Sequence, residues 1–160
     1  MTELADTSAW IWSRRPEYSE LRGVFDTALV DGELATCDMV RLELLYSARN
    51  PQEFAEIREE LAALQDCSIG REQWGRALWV YERLAAAGGA HQRSVKHPDL
   101  LIAAAAEAAG VTVLHYDEDY DRIAEITGQP VRWLAPKGSL RRCPTPVSYT
   151  HLTLPTTPYV

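Results

Sequence analysis

Short apolar runs alternate with helix-period segments along this chain, and that alternation restricts the fold more than any other feature. "ELA" at 3–5 and "ELATC" at 33–37 are short strand candidates, "VTVL" at 111–114 is the clearest, and "PVRWL" at 130–134 completes the set. Between them, Phe54, Ile57, Leu61 and Leu64 recur on one helical face. So do Trp74, Ala77, Leu78, Tyr81, Leu84 and Ala85, in a helix that Gly88 and Gly89 are suited to end. Both stripes are expected to be core contacts. Strands alternating with helices predict an α/β fold, a mostly parallel sheet with helices on both faces.

The chain has 160 residues, 46% of them hydrophobic, which suits one domain with its own core. That domain is expected over 1–140. From Arg141 onward, "RRCPTPVSYTHLTLPTTPYV" has no acidic residue and no sustained period, so 141–160 is expected to be a disordered or cloning-derived tail. Cys37, Cys67 and Cys143 are odd in number and widely spaced, which suits neither a disulfide framework nor a CxxC zinc site. The N-terminus carries acid where a signal peptide carries base, and no apolar run approaches the roughly 20 residues that span a bilayer. A soluble, cytoplasmic protein is expected, with no membrane partner.

All 23 Asp and Glu lie at or before Glu125, whereas 14 of the 16 Lys and Arg lie within 1–140, leaving that region at −9. Such a surface does not attract a polyanion in general. A nucleic-acid partner therefore requires a local basic patch or bound cations.

Four carboxylates fall where a carboxylate is costly to bury. Asp6 follows the first strand; Glu43 sits among Leu42, Leu44 and Leu45; Asp99 precedes a run of seven apolar residues; Asp117 follows "VTVLH". Each has a purely structural alternative. Asp6 suits an Asx turn, Asp99 the positive end of its own helix, Glu43 a pairing with Arg41 or Arg49, and Asp117 an ordinary loop. Topology weighs on the other side, because helices leaving the carboxyl ends of parallel strands start at one edge of the sheet. All four acids are thereby expected at the edge where open parallel sheets bind ligands. Converging carboxylates take up protons unless cations neutralise them, and hard oxygen ligands suit Mg2+ or Mn2+.

"DEDYD" at 117–121 also raises a calcium reading. Asp117, Asp119 and Asp121 match the first acidic positions of an EF-hand loop, but Arg122 stands where glycine is needed and Gly128 where the bidentate glutamate belongs. Calcium by that route is excluded. Asp119 is expected either to support Asp117 or to cap a helix starting near Tyr120, while Glu118 and Asp121 are expected to be solvated.

The segments "LADTSAW" at 4–10, "RLELLYSAR" at 41–49, "HPDLLIAAAAEAAGVTVLHYDEDYDRIA" at 97–124 and "GQPVRWL" at 128–134 together resemble PIN-domain ribonucleases, specifically the VapC toxins of type II toxin–antitoxin pairs. The resemblance covers nearly all of 1–140. It implies a three-layer α/β/α sandwich and Mg2+- or Mn2+-dependent RNA cleavage leaving a 5′ phosphate and a 3′ hydroxyl. Asp6, Glu43, Asp99 and Asp117 match the acidic quartet, and all four are implied metal ligands, Glu43 alternatively orienting water. Ser8 matches the hydroxyl residue beside the first acid, and Asp119 a supporting position. A homodimer and a cognate VapB-type antitoxin are further implications.

For RNA to approach a chain this acidic, Arg14, Arg15, Arg93 and Lys96 are proposed phosphate contacts, whereas His97 is read as a helix-start contact. Two rivals stand beside the nuclease. A phosphatase with an aspartyl nucleophile needs a second Asp at position 8, where Ser8 stands. The other is a catalytically silent RNA- or protein-binding module on the same scaffold.

Overall fold

The computed structural model describes residues 1–141, and all but Arg141 of the tail expected over 141–160 lies outside the described residues. Five strands, β1 (Glu3–Ala5), β2 (Leu34–Thr36), β3 (Gln65–Asp66), β4 (Thr112–His115) and β5 (Val131–Trp133), form one sheet in the order β3-β2-β1-β4-β5. Every pairing is parallel, with Leu4 beside both Ala35 and Val113. Seven helices flank the sheet among the described residues: α1 (Thr7–Ser13), α2 (Ser19–Val30), α3 (Asp38–Tyr46), α4 (Pro51–Ala62), α5 (Arg71–Ala86), α6 (His97–Ala109) and α7 (Asp119–Thr127). The expected α/β class and its parallel sheet are found. None of these helices is long and apolar enough to cross a membrane.

The central strands β1 and β4 are short and apolar because both their faces are covered. Leu4, Ala5, Val113 and Leu114 are all buried. Helix α6 is buried along Asp99–Ala106, and its alanines provide a slim surface on which α5 packs closely. Pro98 suits its first turn, and Gly110, at φ 70°, ends it in the left-handed region that side chains with a Cβ avoid. Trp10 and Phe25 close one end of the core edge to face, with ring centroids 4.9 Å apart.

Two expectations about packing are corrected. In α5, Ala77, Val80 and Leu84 are buried, but Trp74 and Leu78 are 54% and 65% exposed; in α4, Leu61 is buried and Phe54 is exposed. The apolar stripe of each helix is wider than the strip its neighbours cover. The two-residue β3 is polar and was not expected as a strand. It joins the sheet through β2, and the N–H of Cys67 continues the ladder to the carbonyl of Thr36 at 2.8 Å.

Candidate metal centre

The neighbours of β1 in the sheet are β2 and β4, and the strand order runs outward in opposite directions from there, to β3 beyond β2 and to β5 beyond β4. A crevice is expected at the carboxyl end of such a switch point. Asp6 leaves β1 there and caps α1, its Oδ1 accepting the N–H of Ala9 at 2.9 Å. Ser8 donates to the same carboxylate at 2.7 Å while accepting the N–H of Tyr116 at 2.8 Å, so one hydroxyl ties Asp6 to the end of β4. Glu43, half-buried on α3, accepts the hydroxyl of Thr7 at 2.7 Å. Neither Arg41 nor Arg49 takes it: Arg41 pairs with Asp38 and Asp66, and Arg49 with Glu53.

Asp99 enters from the first turn of α6, and Asp117 and Asp119 from the segment after β4. Carboxylate oxygens of these three lie within 4.8 Å of one another. Tyr120 donates its hydroxyl to Asp99 Oδ1 at 3.1 Å, whereas the buried Asp99 Oδ2 has no hydrogen-bond partner. The chain places the supporting residue Asp119 in the tightest group. Asp6 stands close enough to feel the charge of Asp117, and Glu43 close enough to feel that of Lys96.

Burial dominates the electrostatics. It pushes the Asp6 carboxyl up to about 7 against the lowering effect of Ala9 N–H and Ser8, with the charge of Asp117 adding to the rise. Burial, then the adjacent Asp119 and the charge of Asp6, raise Asp99 well above the carboxylate range. Glu43 is raised by burial against the Thr7 hydrogen bond. Asp119 goes the other way: burial opposes its charge, but Asp99 and both donors of Lys96 hold it below the usual value.

Lys96 completes the cluster. Its ammonium lies 2.7 Å from Asp117 Oδ2, 2.9 Å from Asp119 Oδ2 and 3.4 Å from Asp99 Oδ2. The other basic residues named from the sequence are placed elsewhere. Arg14 is ion-paired to Asp26 and to Glu60, with its guanidinium over the rings of Trp10 and Phe25. Arg15 lies over the ring of Trp12, and Arg93 is exposed on the turn before α6. His97 opens α6 with its Nε2 3.3 Å from the hydroxyl of Tyr81.

Three contributors were missed from sequence. His115 is fully buried between the rings of Tyr120 and Trp133, and its Nδ1 accepts the N–H of Asp117 at 3.1 Å, which directs that acid. Thr7 and Tyr120 hold Glu43 and Asp99. Their positions beside acids in sequence, one after Asp6 and three after Asp117, were the available signal. The solvated reading is corrected in part. Asp121 is half-buried and accepts the Trp133 indole N–H at 3.1 Å, while Glu118 is exposed but paired with Arg122 and Lys137.

The residues fit a divalent cation: the donors are all carboxylate oxygen, three converge, and one buried oxygen lacks a hydrogen bond. Residues 4–126 match the family model described as PIN domain. The chain is 46% identical over 140 residues to Ribonuclease VapC18 of Mycobacterium tuberculosis, spanning 88% of this chain and all of that one. It is 39% identical over 137 residues to Ribonuclease VapC51 of the same organism, spanning 86% and 96%. Its fold is similar to that of a chain in the DNA-bound VapBC structure from Salmonella typhimurium, with a TM-score of 0.65 at 17% identity over 84% of this chain and all of that one.

Proposed function

The chain belongs to the PIN-domain family, and from that premise we propose that it is a VapC-type toxin, a ribonuclease hydrolysing RNA phosphodiesters with Mg2+ or Mn2+. The observation that carries the reading is the convergence of Asp99, Asp117 and Asp119 around a buried oxygen without a hydrogen bond, beside the raised carboxyl of Asp6. A bound divalent ion supplies the charge that lets these acids ionise together, and polarises the phosphodiester for attack by water.

The chain's own residues set the geometry. Asp99 and Asp117 would hold the cation, Asp6 would join them with its oxygens fixed by Ser8 and the N–H of Ala9, and Glu43, held by Thr7, would orient water. Asp119 fixes the backbone of Lys96 through the N–H at 3.0 Å and completes the ligand group. No histidine is required as a base. His115 Nδ1 already accepts the N–H of Asp117, and His97 faces Tyr81.

A cognate VapB-type antitoxin, homodimerisation and a cytoplasmic setting belong to the same reading. The similar structures are of VapBC complexes, and a groove between α3, α5 and α6, lined by Met39, Trp74, Leu78, Tyr81, Pro98 and Leu101, offers apolar surface. Cleavage of RNA by the purified chain with Mn2+, its absence in EDTA, and its loss in Asp6→Asn and Asp99→Asn are the expected results. Cleavage surviving both substitutions refutes the mechanism, and RNA binding without cleavage in the wild type supports the silent module instead.

A further inference from the structure

We propose that Lys96 is a built-in competitor for the divalent cation: its ammonium holds the cation position in the metal-free protein and leaves when the metal enters. The inference rests on the metal-site reading above and concerns how that site is regulated.

Three geometric facts carry it. The oxygens that the ammonium contacts, Oδ2 of Asp117, Asp119 and Asp99, belong to the same three carboxylates that could hold a metal, so the ammonium and a metal ion compete for them. The backbone N–H of Lys96 also rests on Asp119 Oδ2, at 3.0 Å, so the start of α6 keeps its own hold on that carboxylate when the ammonium swings away. The side chain is also 60% exposed, which leaves it an open route outward.

Charge decides the direction. The ammonium offsets a single negative charge and Arg122, 3.2 Å from Asp119 Oδ1, answers that acid from its other side, which still leaves a cluster of three carboxylates with Asp6 and Glu43 nearby short of positive charge. A divalent ion offsets two and tolerates more oxygen ligands than an ammonium's three N–H groups can serve. Metal is therefore the better occupant at sufficient concentration, and the lysine sets how much is sufficient. Burial of its stem disfavours the charge, but the hydrogen bonds to Asp117 and Asp119 outweigh that and keep Lys96 protonated. An expelled ammonium stays tethered at the rim of the crevice, where a substrate phosphate approaches.

A site occupied by its own lysine for nine-tenths of the time binds metal about tenfold more weakly than a free one. Calorimetric titration of the full chain with Mn2+ should accordingly give a dissociation constant about tenfold lower for Lys96→Gln, and within about twofold of wild type for Lys137→Gln, whose ammonium pairs with Glu118 outside the cluster. A second measurement needs no substitution. Lys96 and Lys137 are the only lysines of the chain, so an NMR spectrum of labelled lysine side chains holds two signals. Saturating Mg2+ should move the Lys96 signal to that of a free lysine and leave Lys137 in place.

A Lys96 signal unmoved at saturation, or Lys96→Gln binding no more tightly than wild type, overturns the proposal. Failure of wild type and both variants to bind Mn2+ or Mg2+ overturns the metal-site reading and this inference with it. Metal binding that follows the expected order without RNA cleavage removes only the proposed activity.

Discussion

The N–H of Tyr116 and the carboxylate of Asp6 share one partner, the Ser8 hydroxyl, which accepts from the first at 2.8 Å and donates to the second at 2.7 Å. The carboxyl ends of β1 and β4 are thus joined across 108 positions through a single oxygen. Ser8→Ala leaves a part-buried N–H without its acceptor and Asp6 without a donor. Thermal unfolding in EDTA should show a loss of about 1–3 kcal/mol. For a chain of this length that is a fall of several degrees, at about 2–4 °C per kcal/mol. Ser8→Thr keeps the hydroxyl and should recover most of the loss.

Asp99→Asn should separate stability from activity. Without metal, burial, Asp119 and the charge of Asp6 already disfavour an ionised Asp99, so a neutral amide costs little there and the melting temperature in EDTA rises or holds. The extra stabilisation given by Mn2+ disappears, and RNA cleavage falls by more than the roughly 10- to 100-fold that loss of an indirect metal contact produces. A variant that melts lower in EDTA and keeps its Mn2+ response contradicts the crowding described for this acid.

His115 gives a pH dependence of definite sign. Burial lowers it from 6.5 to about 4, against the raising influence of Asp121 and Asp117, so between those values the unfolded chain binds its proton and the folded chain does not. Its contribution to stability is complete above pH 6.5 and is lost as pH falls towards 4. The buried Asp6 works in the opposite direction, since a carboxyl raised to about 7 favours the folded state at low pH and loses that contribution as pH rises. Comparing wild type with His115→Gln cancels most of the Asp6 effect. The difference in unfolding free energy between them should shift in favour of wild type from pH 4 to 6.5, by at most about 3 kcal/mol, and then level off.

The arginines should divide into two kinds. Arg14 is held by Asp26, Glu60 and two aromatic rings, so Arg14→Ala should cost up to about 1 kcal/mol of stability and leave the salt dependence of RNA binding unchanged. Arg93→Ala, on the exposed turn before α6, should flatten that dependence, each lost phosphate contact lowering the slope of log K against log salt by about 1. Fluorescence anisotropy at several salt concentrations checks both.

Positions at the sheet edge could be read from sequence because strand ends are marked by abrupt changes of polarity. "ELA" stops at Asp6 and "VTVLH" at Asp117, and Pro98 marks the start of the helix that carries Asp99. What needed coordinates depends on neighbours that no local pattern encodes. Trp74 and Leu78 share the period of Ala77 and Leu84, yet are exposed because α6 covers only one side of α5. The pairing of Gln65 and Asp66 in β3 depends on β2 lying beside them. Lys96 is expected from sequence to contact phosphate, since nothing in "SVKHP" shows that Asp117 and Asp119, from the segment after β4, join the neighbouring Asp99 around its ammonium.

The strand order has a consequence in time as well as in space. β1 is made first but lies at the centre of the sheet, and its partner β4 begins only at Thr112. While the chain emerges from the ribosome, Asp6 therefore waits through more than a hundred residues before Asp117 can stand opposite it. A growing chain has no assembled crevice until β4 and Asp117 have been made, so the proposed activity on RNA is withheld from the machinery translating it for at least that long.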